Sequence, residues 1–175
     1  MGIRLIGLDP GLRRSGWGVI DLEGNSLSHV ANGAVTSDEK ASLADRLSQL
    51  FSALTDVIGR YNPDESAVEE TFVNNNPAST LKLGQARGVV MLAPAQLGLP
   101  VAEYAANLVK KSLVGTGRAD KNQIKAMIDV LLPDAKPETA DAADALAVAI
   151  CHAHHRRVSV LAETSLTEAS VRASA

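Results

Sequence analysis

Asp9, Glu69, Glu70, Asp141 and Asp144 stand apart from the other acidic side chains of this chain. Most of its 20 Asp and Glu lie in polar stretches such as Asp38-Glu39, Asp56 and Asp64-Glu65, the ordinary setting of solvated surface. Asp9 instead closes a short apolar run, Ile3–Leu8, and opens the turn Asp9-Pro10-Gly11. Glu69 and Glu70 close a second short run. Asp141 and Asp144 are three residues apart, hence on one face, at the start of the most apolar helical stretch. Each has an ordinary reading as well. Asp-Pro-Gly is good β-turn chemistry, and carboxylates in a first helical turn are favoured by the helix dipole. The dipole accounts for one of the pair better than for both, because Asp144 lies inside the run Ala142–Cys151. An unpaired carboxylate buried there would cost on the order of several kcal/mol.

Ligand sites in open α/β sheets gather at the carboxyl ends of strands, where Asp9 and Glu69 fall. With the last helix packed at that edge, three or four carboxylates converge. Two such charges about 4 Å apart repel by roughly 4 kcal/mol at an effective dielectric near 20. No basic residue adjacent in sequence offsets this, whereas a divalent cation would. Oxygen-only ligands suit Mg²⁺ or Mn²⁺ over zinc. Two ions about 3.5–4 Å apart clamp the attacking and leaving oxygens of a phosphodiester. The carboxylates therefore predict metal-dependent phosphoryl transfer.

The elements that must position them read as strands followed by helices. Ile3–Leu8 has apolar residues on both faces, as in a central covered strand. Gly16–Asp21 and Ser28–Val35, joined by a turn at Glu23-Gly24-Asn25, complete an antiparallel meander. From Ala41 to Tyr61, Leu43, Leu47, Leu50, Leu54 and Ile58 form one helical stripe that Asn62-Pro63 stops. Ser66–Thr71 is a fourth strand. Asn76-Pro77 caps a helix to about Leu92, which Pro94 should bend or end; its Gly84, Ala86 and Gly88 leave room for a close neighbour. Pro100–Tyr104 is a fifth strand, followed by a helical stretch, a Lys121–Leu132 helix and a last helix over about Thr139–His154. The expected fold class is α/β, with a mixed five-stranded sheet, three antiparallel strands then parallel ones, flanked by helices.

Composition narrows the classes. Hydrophobic residues at 46% and charged ones at 21% describe an ordinary globule, and the single cysteine, Cys151, excludes a disulfide framework. The longest uncharged stretch near Gly88–Ala102 is short for a membrane span and contains two prolines, so a cytoplasmic protein is expected. The net charge of −3 argues against a protein that coats nucleic acid. The distribution of charge along the chain argues the other way. Residues 82–125 hold seven Lys or Arg against two acids, net +5, and the rest of the chain is net −8. A basic middle segment points to DNA.

Six segments, GLDPG (7–11), GWGVI (16–20), AVEETF (67–72), LKLGQARG (81–88), EYAANLVKKSLVGTGRADK (103–121) and DAADALAVAICH (141–152), resemble the RuvC family of crossover junction endodeoxyribonucleases. They occur in family order from about residue 3 to residue 155. The resemblance implies an RNase H-like homodimer that resolves Holliday junctions with Mg²⁺, two ions per site, Mn²⁺ substituting. It implies two symmetric cuts in strands of like polarity, leaving 5′-phosphate and 3′-hydroxyl ends, and coupling to the RuvAB branch-migration complex. It places the catalytic, metal-binding acids on Asp9, Glu69, Asp141 and Asp144, selecting Glu69 over Glu70. It also matches Phe72 to a base-stacking aromatic and Lys110 and Lys121 to DNA-contacting lysines.

The residues themselves permit these roles without requiring them. Phe72, beside Asn74-Asn75-Asn76, reads equally as a core-edge ring. Lys121 and Lys125 share a helix face after Arg118 and the Gly115-Thr116-Gly117 loop, whose amides suit phosphate. His152, His154 and His155 read as a helix end near solvent. Residues 1–157 are expected to form the nuclease domain and 158–175 a flexible tail. Two rival readings are a fragment of an actin-like or sugar-kinase-type phosphotransferase, from the Asp9-Pro10-Gly11 loop, and a junction-binding module without catalysis.

Overall fold

The computed structural model describes residues 2–70 and 76–173, with side chains as far as Arg156. Three strands come first: β1 (Ile3–Asp9), β2 (Arg14–Glu23) and β3 (Ser26–Thr36). They pair antiparallel in sequence, β1 with β2 and β2 with β3, the second pair through a two-residue turn at Gly24-Asn25, where Gly24 takes a φ of 57°. A helix, α1 (Leu43–Tyr61), then crosses to β4 (Glu65–Glu70), and α2 (Pro77–Gln96) crosses to β5 (Val101–Ala105). Both β4 and β5 join the sheet in parallel, giving the order β3-β2-β1-β4-β5. Three helices close the chain: α3 (Ala106–Val114), α4 (Lys121–Leu131) and α5 (Ala140–Ala173). This is the mixed five-stranded sheet expected from the strand pattern.

The absence of alternation in β1 has its cause in two cores, one on each face of the sheet. Ile6, Leu8 and Val68 pack with Leu50, Leu54 and Ile58 of α1 and Val90 and Ala93 of α2. Leu5, Ile20 and Ala67 pack with α3, α4 and the run Leu146–Cys151 of α5. Residues buried on both faces leave a continuous apolar run in place of a period of two.

The helix starts follow their caps. Ser42 accepts the Asp45 amide and begins α1, and Asn76 accepts the amides of Ala78 and Ser79 ahead of Pro77. Pro94 does not end α2, which continues to Gln96. It sits in the last turn with its ring buried, and its carbonyl accepts the Leu97 and Leu99 amides that close the helix. Gly84 and Gly88 have no neighbour within 4 Å of a Cβ position, so the room they leave is not filled from within the domain, whereas Ala86 is fully buried. Helix α5 continues well past the His154 end expected from sequence. Among the described residues no helix is long and apolar enough to cross a membrane.

Candidate active site

The parallel pairing of β1 with β4 puts Leu8 beside Val68, so the next residue of each strand, Asp9 and Glu69, emerges at the same sheet edge. Across the sheet lies α5, and three glycines let it approach. A Cβ on Gly7 would stand 2.2 Å from the Ala145 carbonyl oxygen, and one on Gly18 2.8 Å from the Leu146 side chain. At Gly16, the cross-strand partner of Asp9, it would stand 1.9 Å from the carbonyl oxygen of Asp141. The helix thus rests on bare backbone, and its first turns carry Asp141 and Asp144 to the strand ends.

Asp9, Glu69 and Asp144 line one cavity of about 440 Å³, with Lys110, Asp120 and Lys121 on its other walls. Burial, then Glu69, Asp144 and Asp141, push the Asp9 carboxyl up to about 8, and Lys121 opposes the shift. Burial and then Asp144 push Glu69 up to about 7, opposed by Lys110. Burial also raises Asp144, with Lys121 and Lys110 opposing and Asp141 adding to it. Each carboxylate is desolvated and repelled by its neighbours, the condition that a bound cation relieves. The sequence places no base beside these acids; the fold supplies two, from α3 and the start of α4.

Asp141 does not line that cavity. It borders a neighbouring one of about 370 Å³ with Gly11, Arg13 and Arg14, and its Oδ2 lies 3.5 Å from Arg14 Nη1. Among the described residues no group of three or more His, Cys, Asp or Glu side chains could hold a metal ion as it stands. The donor set nonetheless fits a hard cation in kind, being oxygen-only, partly buried and mutually repelling.

The remaining expected residues divide. Lys110 and Lys121 reach the cavity. Arg118 is exposed on the loop before α4, where its amide donates to Thr116 Oγ1, and does not line the cavity. Glu70 is exposed, whereas Glu69 is half-buried. Phe72 and the Asn74-Asn75 loop lie outside the described residues, as do the side chains of the tail expected over 158–175.

One expectation is corrected at His152. It does not sit near solvent, because α5 continues past it and it packs under the edge of the sheet, 7% exposed. Its Nδ1 pairs with the Tyr104 hydroxyl at 2.9 Å and its Nε2 with Glu65 Oε2 at 3.0 Å, while Arg156 Nε donates to Glu65 Oε1. This network ties α5 to β4 and β5. Sequence reasoning also passed over Arg14, whose partner Asp141 lies far along the chain.

Carboxylates at adjacent strand ends, a last helix adding more, and lysines on the facing wall define a metal-dependent phosphodiester nuclease on an RNase H-like sheet. The profile of the family described as crossover junction endodeoxyribonuclease RuvC matches residues 5–152. The chain belongs to the RuvC family, the endodeoxyribonucleases that resolve Holliday junctions. It is 63% identical over 164 residues to the crossover junction endodeoxyribonuclease RuvC of Xanthobacter autotrophicus, covering 94% of this chain and 97% of that one. It is 65% identical over 154 residues to that of Paramagnetospirillum magneticum, covering 88% and 93%. Among solved structures, Thermus thermophilus RuvC in complex with a Holliday junction substrate superposes with a TM-score of 0.84 at 30% identity, covering 90% and 96%. The yeast mitochondrial Holliday junction resolvase Ydc2, at 14% identity and a TM-score of 0.61, shares the fold. The phosphotransferase and non-catalytic readings fall with this membership.

Proposed function

We propose that Asp9, Glu69, Asp141 and Asp144 form the catalytic and metal-binding group of this resolvase, taking two Mg²⁺ per site with Mn²⁺ as a substitute. The observation that carries the reading is the shared cavity of Asp9, Glu69 and Asp144, where burial and mutual repulsion raise all three. When bound, the ions supply the positive charge that activates the attacking water and steadies the leaving 3′ oxygen.

The chain's own side chains do the rest. Asp9, at the end of a strand buried on both faces, is the most firmly placed of the four and would be the central carboxylate holding the ions. Glu69 and Asp144 flank it, and Asp141 joins from the Arg14 side. Lys110 and Lys121 aim their ammonium groups across the cavity at phosphate oxygens, and Arg118 extends the basic rim along the loop. Phe72 stacks on an unpaired base at the crossover. Each cut leaves a 5′-phosphate and a 3′-hydroxyl.

Two symmetric cuts in strands of like polarity call for two equivalent sites, which a C2 homodimer provides. The open face of α2 supports this. Leu81, Gly84, Gly88 and Leu92 are exposed at helical spacing, Leu81 at 65% and Leu92 at 48%, and the glycines admit a close partner helix. The nuclease unit is residues 1–157, with 158–175 a tail outside the chemistry. The enzyme works in the cytoplasm, coupled to the RuvAB branch-migration complex.

A nicking assay on a mobile four-way junction and a linear duplex, with and without Mg²⁺, tests the reading. Paired nicks confined to the junction, dependent on Mg²⁺ and absent in Asp9→Asn, are expected. Cleavage by Asp9→Asn at the normal rate would overturn the site assignment.

A further inference from the structure

Asp141 and Arg14 face each other at the rim of the site, 35% and 43% exposed in their side chains. Arg14 is the first residue of β2, directly after the loop that follows Asp9. That loop is held by Ser15, whose hydroxyl donates to the Gly11 carbonyl and accepts the Gly11 amide. The Ser37 amide anchors it further through the Arg13 carbonyl. Arg14 is therefore fixed at its backbone, and it shares with Asp141 a cavity that Asp9, Glu69 and Asp144 do not line. Arg13, one residue earlier, pairs with Glu39 instead.

We infer that Arg14 is a positioning residue that competes with the divalent cation for Asp141. In the cation-free protein its guanidinium holds the fourth carboxylate beside the 10–13 loop, and loading the site requires Asp141 to exchange Arg14 for the cation. This rests on the reading of Asp141 as a metal ligand. A half-exposed ion pair is weak, so the exchange lowers cation affinity by about two- to fivefold. A pair of that strength sets occupancy without blocking it.

The test is a calorimetric titration of Mn²⁺ and of Mg²⁺ into the full chain without DNA, for wild type, R14Q, D141N and the double variant. R14Q should bind the cation about two- to fivefold more tightly, and D141N should bind it more weakly. Adding R14Q to D141N should change nothing, because the competition passes through the Asp141 carboxylate. Equal tightening in both backgrounds would show a diffuse loss of positive charge and overturn the inference, as would unchanged affinity in R14Q alone. Unchanged affinity in D141N would overturn the ligand reading itself, and the inference with it.

Discussion

Gly16 of β2 and Asp141 of α5 are in backbone contact, so close that a Cβ on the glycine would fall 1.9 Å from the Asp141 carbonyl oxygen. The obstacle is backbone, which cannot rotate away. Gly16→Ala must therefore push the start of α5 off the sheet, moving Asp141 and Asp144 from Asp9. We expect a loss of cleavage of at least about 10²-fold, since displacements near 1 Å cost that much in positioned chemistry. Junction binding should fall far less. Thermal melting should show destabilisation of about 1–3 kcal/mol, the usual range for overpacking. Wild-type cleavage by Gly16→Ala would mean that the helix carries no catalytic group.

Removal of the Asp9 charge should separate stability from activity. At pH 8 without divalent cation, Asp9→Asn should melt several degrees above the wild type, because it removes a desolvated charge repelled by Glu69, Asp144 and Asp141. A gain of 1 kcal/mol corresponds to about 2–4 °C in a chain of this size. The same variant should bind the junction and leave it uncut.

The pH dependence has a definite sign. Asp9 and Glu69 have folded values raised to about 8 and about 7, above their unfolded values near 4. Between those limits the folded state binds more protons, so the cation-free protein should lose stability as pH rises from about 4 to about 8. Cation affinity should increase over the upper part of that range, with proton release on binding. Calorimetry in buffers of different ionisation enthalpy would detect those protons. A stability that rises across the range would contradict the mutual repulsion of these carboxylates.

Lys110 and Lys121 should act mainly through phosphate. Replacing either with Ala should weaken junction binding across sequences and reduce the slope of log K against log salt by about 1. Both lysines also oppose the carboxylate shifts, Lys110 at Glu69 and Lys121 at Asp9. The pH at which cation binding reaches half its maximum should consequently move upward in each variant, which a lysine on a solvated face would not do.

Tyr104→Phe removes the hydroxyl that pairs with His152 Nδ1 and leaves the ring in place. A loss of about 0.5–1.5 kcal/mol is expected from one such bond. His152→Ala should cost more, since it also opens space under the edge of the sheet and leaves Glu65 with Arg156 alone from this network.

How much of this was legible in the sequence depended on whether the deciding contact was local. The meander could be read because apolar runs and turn residues are local signals, and Asn76-Pro77 announced a helix start for the same reason. Pro94 was misleading, because a proline in a last turn gives up little hydrogen bonding and its buried ring adds packing. Glu69 and Glu70 could not be separated by strand reasoning, since β4 is buried on both faces through Val68 and shows no alternation. Only the family resemblance chose between them. His152 was misplaced because its partners, Glu65 and Tyr104, lie 87 and 48 residues away. Arg14 was missed for a similar reason, its partner being at the far end of the domain.

The docking of α5 on β1 and β2 has a consequence for the order of synthesis. The first strand bearing Asp9 leaves the ribosome some 130 residues before the helix bearing Asp141 and Asp144. Until that helix arrives, the groove over Gly7, Gly16 and Gly18 is empty and that face of the sheet lacks the helix that covers β1 and β2. A chain in that state lacks the buried run Leu146–Cys151 and, on the same helix, two of the four proposed ligands. Closing the fold and completing the proposed site are therefore one event, the docking of a single helix.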